Sequence, residues 1–154
     1  MNKKQSYATL LLVLVTQVIV SQAKVPSNGS MDSPNILFVF SDDHAWQSIG
    51  AYGGRLKEVA HTPNIDKLAS EGMLFRKCFV ANALCGPSRA AVLTGKYGHR
   101  NGVTWNRNTN FDGSQQTFPK MMRQNGYQTA IIGKWHLASV PTGFDYFDVM
   151  KGQG

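Results

Sequence analysis

The chain has 154 residues and a formal net charge of +7, from 16 basic side chains against 9 acidic ones. The basic residues are scattered rather than interleaved with aromatics, which argues against a nucleic-acid surface. The surplus suits an anionic ligand without identifying one. Only two cysteines occur, and there is no internal repeat or low-complexity tract.

The N-terminus has the layout of a secretory leader. Lys3 and Lys4 precede the mostly apolar stretch Ala8 to Val20, and Ser21-Gln22-Ala23 supplies small residues for cleavage. The apolar run of about 13 residues is too short for comfortable membrane spanning, so no stable membrane insertion is expected. Residues 1–23 are therefore read as a signal peptide, and the destination as secreted or periplasmic. Its removal takes away Lys3 and Lys4 and no acid, lowering the charge from +7 to +5. Residues 24–34, rich in Ser, Asn, Gly and Pro, read as a flexible lead-in.

Asn35 to Ser41 is a short apolar run, as expected of a parallel strand covered on both faces. It ends in Asp42-Asp43. Thr62-Pro63 opens a helix that Gly72 closes, with Thr62 as N-cap and Ile65, Leu68 and Ala69 as its buried stripe. Leu74 to Ala81 is a second expected strand. Cys78 either pairs with Cys85 or, with Phe75 and Phe79, belongs to the core, the reading preferred on its apolar surroundings. A helix begun by Pro87 runs through Ala90, Ala91, Val92 and Leu93 to Gly95. A polar loop covers Asn101 to Gln116. A third helix starts near Thr117 and stops at Gly126, with Phe118, Met121 and Met122 inward. Tyr127 to Gly133 is another strand, followed by Lys134 and His136. Alternating strands and helices predict a layered α/β domain with a largely parallel sheet and a site at the strands' carboxyl ends.

Cys85-Gly86-Pro87-Ser88-Arg89, followed by Leu93-Thr94-Gly95, is the most specific pattern in the chain. Position 85 is expected just before a helix N-terminus, where free N–H groups and the helix dipole favour an anion. The pattern resembles the C-x-P-x-R…T-G signature of the type I sulfatases. That resemblance implies that a maturation enzyme converts Cys85 to formylglycine, whose hydrate has one hydroxyl to attack sulfur and another to expel sulfate. It also implies an alkaline phosphatase-like fold, of which residues 35–154 form the N-terminal portion.

Two further segments agree. Asp42 and Asp43 are hard oxygen donors suited to Ca²⁺ or Mg²⁺, although such a pair alone is more often a solvated turn. Phe40-Ser41-Asp42-Asp43-His44 resembles the family's calcium loop, which implies one Ca²⁺ ion held by Asp42, Asp43 and the modified Cys85. Gly133-Lys134-Trp135-His136-Leu137 resembles its second signature. There the lysine contacts sulfate and the histidine hydrogen-bonds the nucleophile, so Cys85, Arg89, Lys134 and His136 are the expected catalytic residues. Thr62-Pro63-Asn64-Ile65-Asp66 resembles the run that follows the calcium loop and is read as structural. The family's remaining calcium ligands, second lysine and second histidine have no counterpart in the 154 residues, so the chain is read as carrying half a site.

Pro141-Thr142-Gly143-Phe144-Asp145-Tyr146-Phe147-Asp148, Lys151-Gly152-Gln153-Gly154 and His44-Ala45-Trp46-Gln47-Ser48 resemble bacterial carbohydrate sulfatases that remove 6-O-sulfate from N-acetylglucosamine. The implied partners are a sulfated glycan and the maturation enzyme. Two other readings compete: a phosphodiesterase or phosphonate hydrolase of the alkaline phosphatase superfamily, and a secreted sulfated-glycan-binding fragment with unconverted Cys85.

Overall fold

A computed structural model describes residues 33–150 and 152. The expected leader, residues 24–32 of the lead-in, Lys151, Gln153 and Gly154 lie outside the described residues. The chain divides into two compact units, residues 1–39 and 40–154. In the first, the described residues 33–39 are exposed and take no regular structure.

In the second unit, two 3₁₀ turns, Trp46–Ser48 and Gly50–Tyr52, precede helix α1, Pro63–Glu71. Helix α2 is Cys85–Thr94, the short α3 is Gly98–Asn101, and α4 is Phe118–Gln124. Strands β1, Ala130–Lys134, and β2, Tyr146–Met150, pair in parallel with Ala130 opposite Tyr146 and Lys134 opposite Met150. No helix among the described residues is long and apolar enough to cross a membrane.

Helix α1 has the expected bounds, because Pro63 suits a first turn and Gly72 follows its end. Thr62 stands at the N-cap position but makes no cap bond. Its hydroxyl is used instead in a clasp to the preceding turn. Thr62 Oγ1 accepts from Gly50 N at 2.9 Å and donates to Asp66 Oδ1 at 3.0 Å, while Ala51 N donates to the same carboxylate oxygen at 2.7 Å. The expected buried stripe is corrected: Ile65 and Leu68 are exposed, Ala69 is half-buried, and no residue of α1 is buried. The clasp holds this helix through polar groups on its first turn rather than through an apolar face.

Two expected strands are also corrected. Asn35–Ser41 and Leu74–Ala81 form no strand, and Leu37, Val39, Phe75, Phe79 and Val80 are exposed. A parallel strand exists only with a ladder neighbour and cover on its faces, and the one ladder among the described residues is β1–β2. Cys78, expected in the core, is exposed for the same reason, and neither cysteine is in a disulfide. The strand expected at Tyr127–Gly133 forms as β1, starting three residues later and ending one residue later.

The core is small and lies between α2 and the segment that leaves β1. Ala90, Leu93, Val103, Phe111, Trp135 and Leu137 are buried, with Ile131, Phe144 and Val149 packed against them. The Trp135 ring meets Phe111 and Phe144 edge-on at centroid distances of 6.4 and 6.3 Å. Full burial of a large apolar side chain contributes on the order of 2 kcal/mol, so these contacts hold the Trp135–Leu137 strand exit firmly against α2. The expected polar loop 101–116 thus supplies core residues, Val103 and Phe111. Buried Asn101 explains its path: Asn101 Oδ1 accepts Val103 N, its Nδ2 donates to Lys96 O, and its carbonyl accepts Gln115 Nε2.

Helix α4 begins and ends where expected, but its inward face differs. Phe118 and Met121 are exposed, Met122 is half-buried and Pro119 is buried. Lys120 sets that rotation by donating from Nζ to the carbonyls of Gly113 and Gln115.

Candidate active site

Helix α2 begins at Cys85 itself, two positions ahead of Pro87, so residue 85 lies inside the helix rather than just before it, with Leu84 as N-cap in an extended conformation and no side-chain cap. Gly95 closes it in the left-handed conformation, φ +65°, which costs a glycine little. Cys85 therefore occupies the first turn, where backbone N–H groups lack helical partners. Gly86 and Pro87 are buried behind it.

Gly86 is required by close approach rather than by φ. A Cβ there would lie 2.6 Å from Thr109 Cγ2 and 3.3 Å from the carbonyl oxygen of His136. Gly86→Ala is expected to destabilise the fold by about 1–3 kcal/mol through overpacking. Replacing Thr109 by Ser in the same chain removes the clashing methyl and should recover part of the loss. Denaturant midpoints of the single and double variants check this; an unchanged midpoint for Gly86→Ala would show that the notch yields freely.

Five side chains meet near the start of α2. One ligand atom each from Asp42, Asp43 and Cys85 lie within 4.8 Å of one another. Lys134, the last residue of β1, places Nζ 2.6 Å from Asp42 Oδ2 and 3.8 Å from Cys85 Sγ. Arg89 donates from Nη2 to Asp42 Oδ1 at 3.1 Å and from Nη1 to the Lys134 carbonyl at 2.6 Å. Its guanidinium also lies over the Phe40 ring, 5.4 Å from the centroid. One turn into α2, Arg89 thus ties together the two segments that carry Asp42 and Lys134.

His136 follows from the same geometry. Trp135 and Leu137 on either side are anchored in the core, and His136 between them is itself buried, with φ +48°. Asp43 has φ +50°, and these two are the positive-φ residues other than glycine among the described residues. Such backbone strain clusters where the surroundings over-determine a functional group. His136 Nδ1 is buried without a hydrogen-bond partner, as is Arg89 Nε.

The charges are mutually adjusted. The Lys134 ammonium, then Arg89, holds the Asp42 carboxyl below the usual carboxylate range, with desolvation opposing. Asp42 in turn raises Lys134 above its ordinary value. Burial lowers His136 below 6.5, and Lys134 and Arg89 push it the same way. His136 is therefore neutral near pH 7 and able to accept a proton.

The donor set fits a hard divalent cation at its carboxylates, whose oxygens are the ligands such ions take. The soft sulfur of Cys85 does not, and an oxygen-bearing side chain at that position would. The structure brings together all six expected site residues, Asp42, Asp43, Cys85, Arg89, Lys134 and His136, in one region around the α2 start. The sequence reading missed Phe40 as the platform for Arg89, and Asn82, Asn106 and Thr109 around the α2 start. Their local sequence carries no signal beyond polarity, because each acts through residues distant in the chain or through the backbone.

A family comparison matches residues 34–152 to the model described as Sulfatase. An N-acetylglucosamine-6-O-sulfatase of Bacteroides thetaiotaomicron is 50% identical over 150 residues, which are 97% of this chain and 26% of that protein. The human N-acetylgalactosamine-6-sulfatase is 39% identical over 127 residues, 75% of this chain and 24% of its own length. A solved structure described as a complex with its substrate, D-glucosamine-2-N,6-O-disulfate, is 53% identical with a TM-score of 0.73. It covers 78% of this chain and 24% of its own. The chain spans about a quarter of the length of these relatives.

Proposed function

The chain belongs to the sulfatase family and has its alkaline phosphatase-like α/β fold, and from that premise we propose that it supplies the nucleophile side of a site hydrolysing sulfate esters on carbohydrate. The observation that carries this reading is the convergence of Asp42, Arg89 and Lys134 on Cys85 at the first turn of α2. Two cationic side chains and a helix N-terminus around one nucleophile suit a tetrahedral anion whose charge grows in the transition state.

Cys85 is the residue converted to formylglycine by a maturation enzyme, and the hydrate supplies one hydroxyl for attack and one for sulfate release. Asp42 and Asp43 would hold Ca²⁺, which would supply Lewis-acid stabilisation of sulfate oxygens. Lys134 Nζ stands between Asp42 and Cys85, placed to hold a sulfate oxygen beside the nucleophile. Arg89 acts mainly as an organiser, because its two terminal nitrogens are engaged with Asp42 and the Lys134 carbonyl. The proton of the attacking hydroxyl leaves with the alcohol, and neutral His136 then takes the proton of the second hydroxyl as the C–O bond to sulfate breaks and the aldehyde re-forms, passing it on to water.

The substrate we favour is a glycan carrying N-acetylglucosamine 6-O-sulfate, supported by the 50% identity to a bacterial enzyme of that name. Residues 1–23 act as a secretory leader, and the protein works in the secreted or periplasmic space. A release assay on the complete protein tests the reading. Sulfate should come from 6-O-sulfated N-acetylglucosamine at least about 100-fold faster, in kcat/KM, than phosphate from the matching 6-phosphate, a gap of roughly 3 kcal/mol. Preference for the phosphate ester would overturn it in favour of a phosphatase.

A further inference from the structure

The first turn of α2 has no cap of its own, yet the backbone on both sides of Cys85 is fixed by asparagine side chains. On one side, Leu84 N donates to Asn82 Oδ1 at 3.1 Å, and Asn82 Nδ2 donates to the Thr104 carbonyl at 3.3 Å. On the other, Gly86 N donates to Asn106 Oδ1 at 3.0 Å. Residues 104 and 106 belong to one loop segment, closed by the Trp105–Asn108 bridge. That segment is tied to the His136 region where Ala138 N donates to the Thr109 carbonyl at 2.8 Å. Gly86 is also packed against Thr109 and the His136 carbonyl, with no room for a Cβ.

Leu84 and Gly86 flank the nucleophile position, so these bonds fix the φ and ψ values on either side of Cys85. They do so from a loop that also touches the His136 strand exit. A side chain's direction at a helix start is set by those backbone angles, and displacement of a reacting atom by about 1 Å can cost on the order of 100-fold in rate. We infer that Asn82 and Asn106 form a two-sided backbone clamp that aims the side chain of residue 85, and that both are positioning residues for the nucleophile. The inference rests on the role given to Cys85 under Proposed function. It adds two residues that contact neither the sulfate nor the metal ligands in that scheme.

The test uses the complete protein with Asn106→Ala, Asn106→Asp and Asn82→Ala. Two readouts are taken on each: amide hydrogen exchange at Leu84 and Gly86, and kcat and KM per converted residue 85 counted by mass spectrometry. Asn106→Ala should lose protection at Gly86, and Asn82→Ala at Leu84. Asn106→Asp, which keeps the acceptor oxygen, should retain protection at Gly86. In both alanine variants kcat should fall by about 10–100-fold, with KM changed less than about 3-fold, as expected when aim rather than binding is lost. Unchanged protection in the alanine variants would overturn the clamp. Lost protection with unchanged kcat would overturn the positioning role. If Asn106→Ala does not fold, Asn82→Ala carries the same two readouts. Failure of the wild-type protein to release sulfate would instead count against the function itself, while the exchange data would still decide the clamp.

Discussion

Cys85→Ala in the complete protein is expected to reduce sulfate-ester turnover by at least about 10⁴-fold, the scale of removing a covalent nucleophile that works as a unit with its neighbours. Little of the fold should be lost with it. Cys85 is only half-buried, and its N–H and carbonyl remain in the first turn of α2 whatever the side chain. Ala is also a good helix former. The loss should therefore appear in kcat at an almost unchanged melting temperature. Cys85→Ser separates the proposed chemistry from simple nucleophilic attack. The serine Oγ can form a bond to sulfur as the glycan oxygen leaves with a proton, giving a sulfated serine. It has no second hydroxyl on the same carbon to expel sulfate, so the variant should stop after one event with a stable sulfated peptide. Repeated turnover by an unmodified serine would sink the mechanism.

Asp42→Ala and Asp43→Ala are each expected to weaken Ca²⁺ binding by at least about 100-fold, since each would delete a charged oxygen ligand of the proposed metal site. Their side effects should differ. Asp42 is paired with both Lys134 and Arg89, so its removal leaves two cations facing each other without their shared anion. Asp43 forms no ion pair among the described residues. Asp42→Ala should therefore lower metal-free stability as well as metal affinity, whereas Asp43→Ala should act mainly on affinity, with only the small added cost of Ala at φ +50°. Calorimetric titration with Ca²⁺ and thermal melts in chelator measure the two effects. Unchanged affinity in both variants would remove the carboxylate pair from the metal site.

The parts of this molecule that local chemistry dictates were legible in the sequence. Pro87, a run of small and apolar residues and Gly95 determine α2 between them, and the observed helix adds Cys85 and Gly86 ahead of Pro87. Pro63 with Gly72, and Thr117 with Gly126, marked α1 and α4 in the same way. The gathering of Asp42, Cys85, Arg89 and Lys134 also agrees with the reading, which drew on the family pattern rather than on spacing alone.

What failed depends on distant residues. Asn35–Ser41 and Leu74–Ala81 are apolar enough for buried strands, but a strand is made by its neighbours, and β1–β2 is the ladder formed among the described residues. The same dependence misplaced Cys78, Ile65 and Leu68, whose apolar character predicts burial only where something covers them. The Asn101–Gln116 loop erred in the opposite direction. Its polar composition concealed Val103 and Phe111, which are buried because Asn101 satisfies the turn's backbone groups internally. Asn106 was invisible because a bond to a backbone N–H 20 residues away leaves no periodic trace, and Asn82 because its bond to Leu84 N marks only a local turn.

The central claim is that residue 85 works as formylglycine, and mass spectrometry of the peptide containing it is the most direct measurement. In protein isolated from its natural host, conversion of the thiol side chain to an aldehyde should lower that peptide's mass by about 18 Da, and the converted fraction should scale with specific sulfatase activity. A fully active protein whose residue 85 is an intact cysteine would contradict the account.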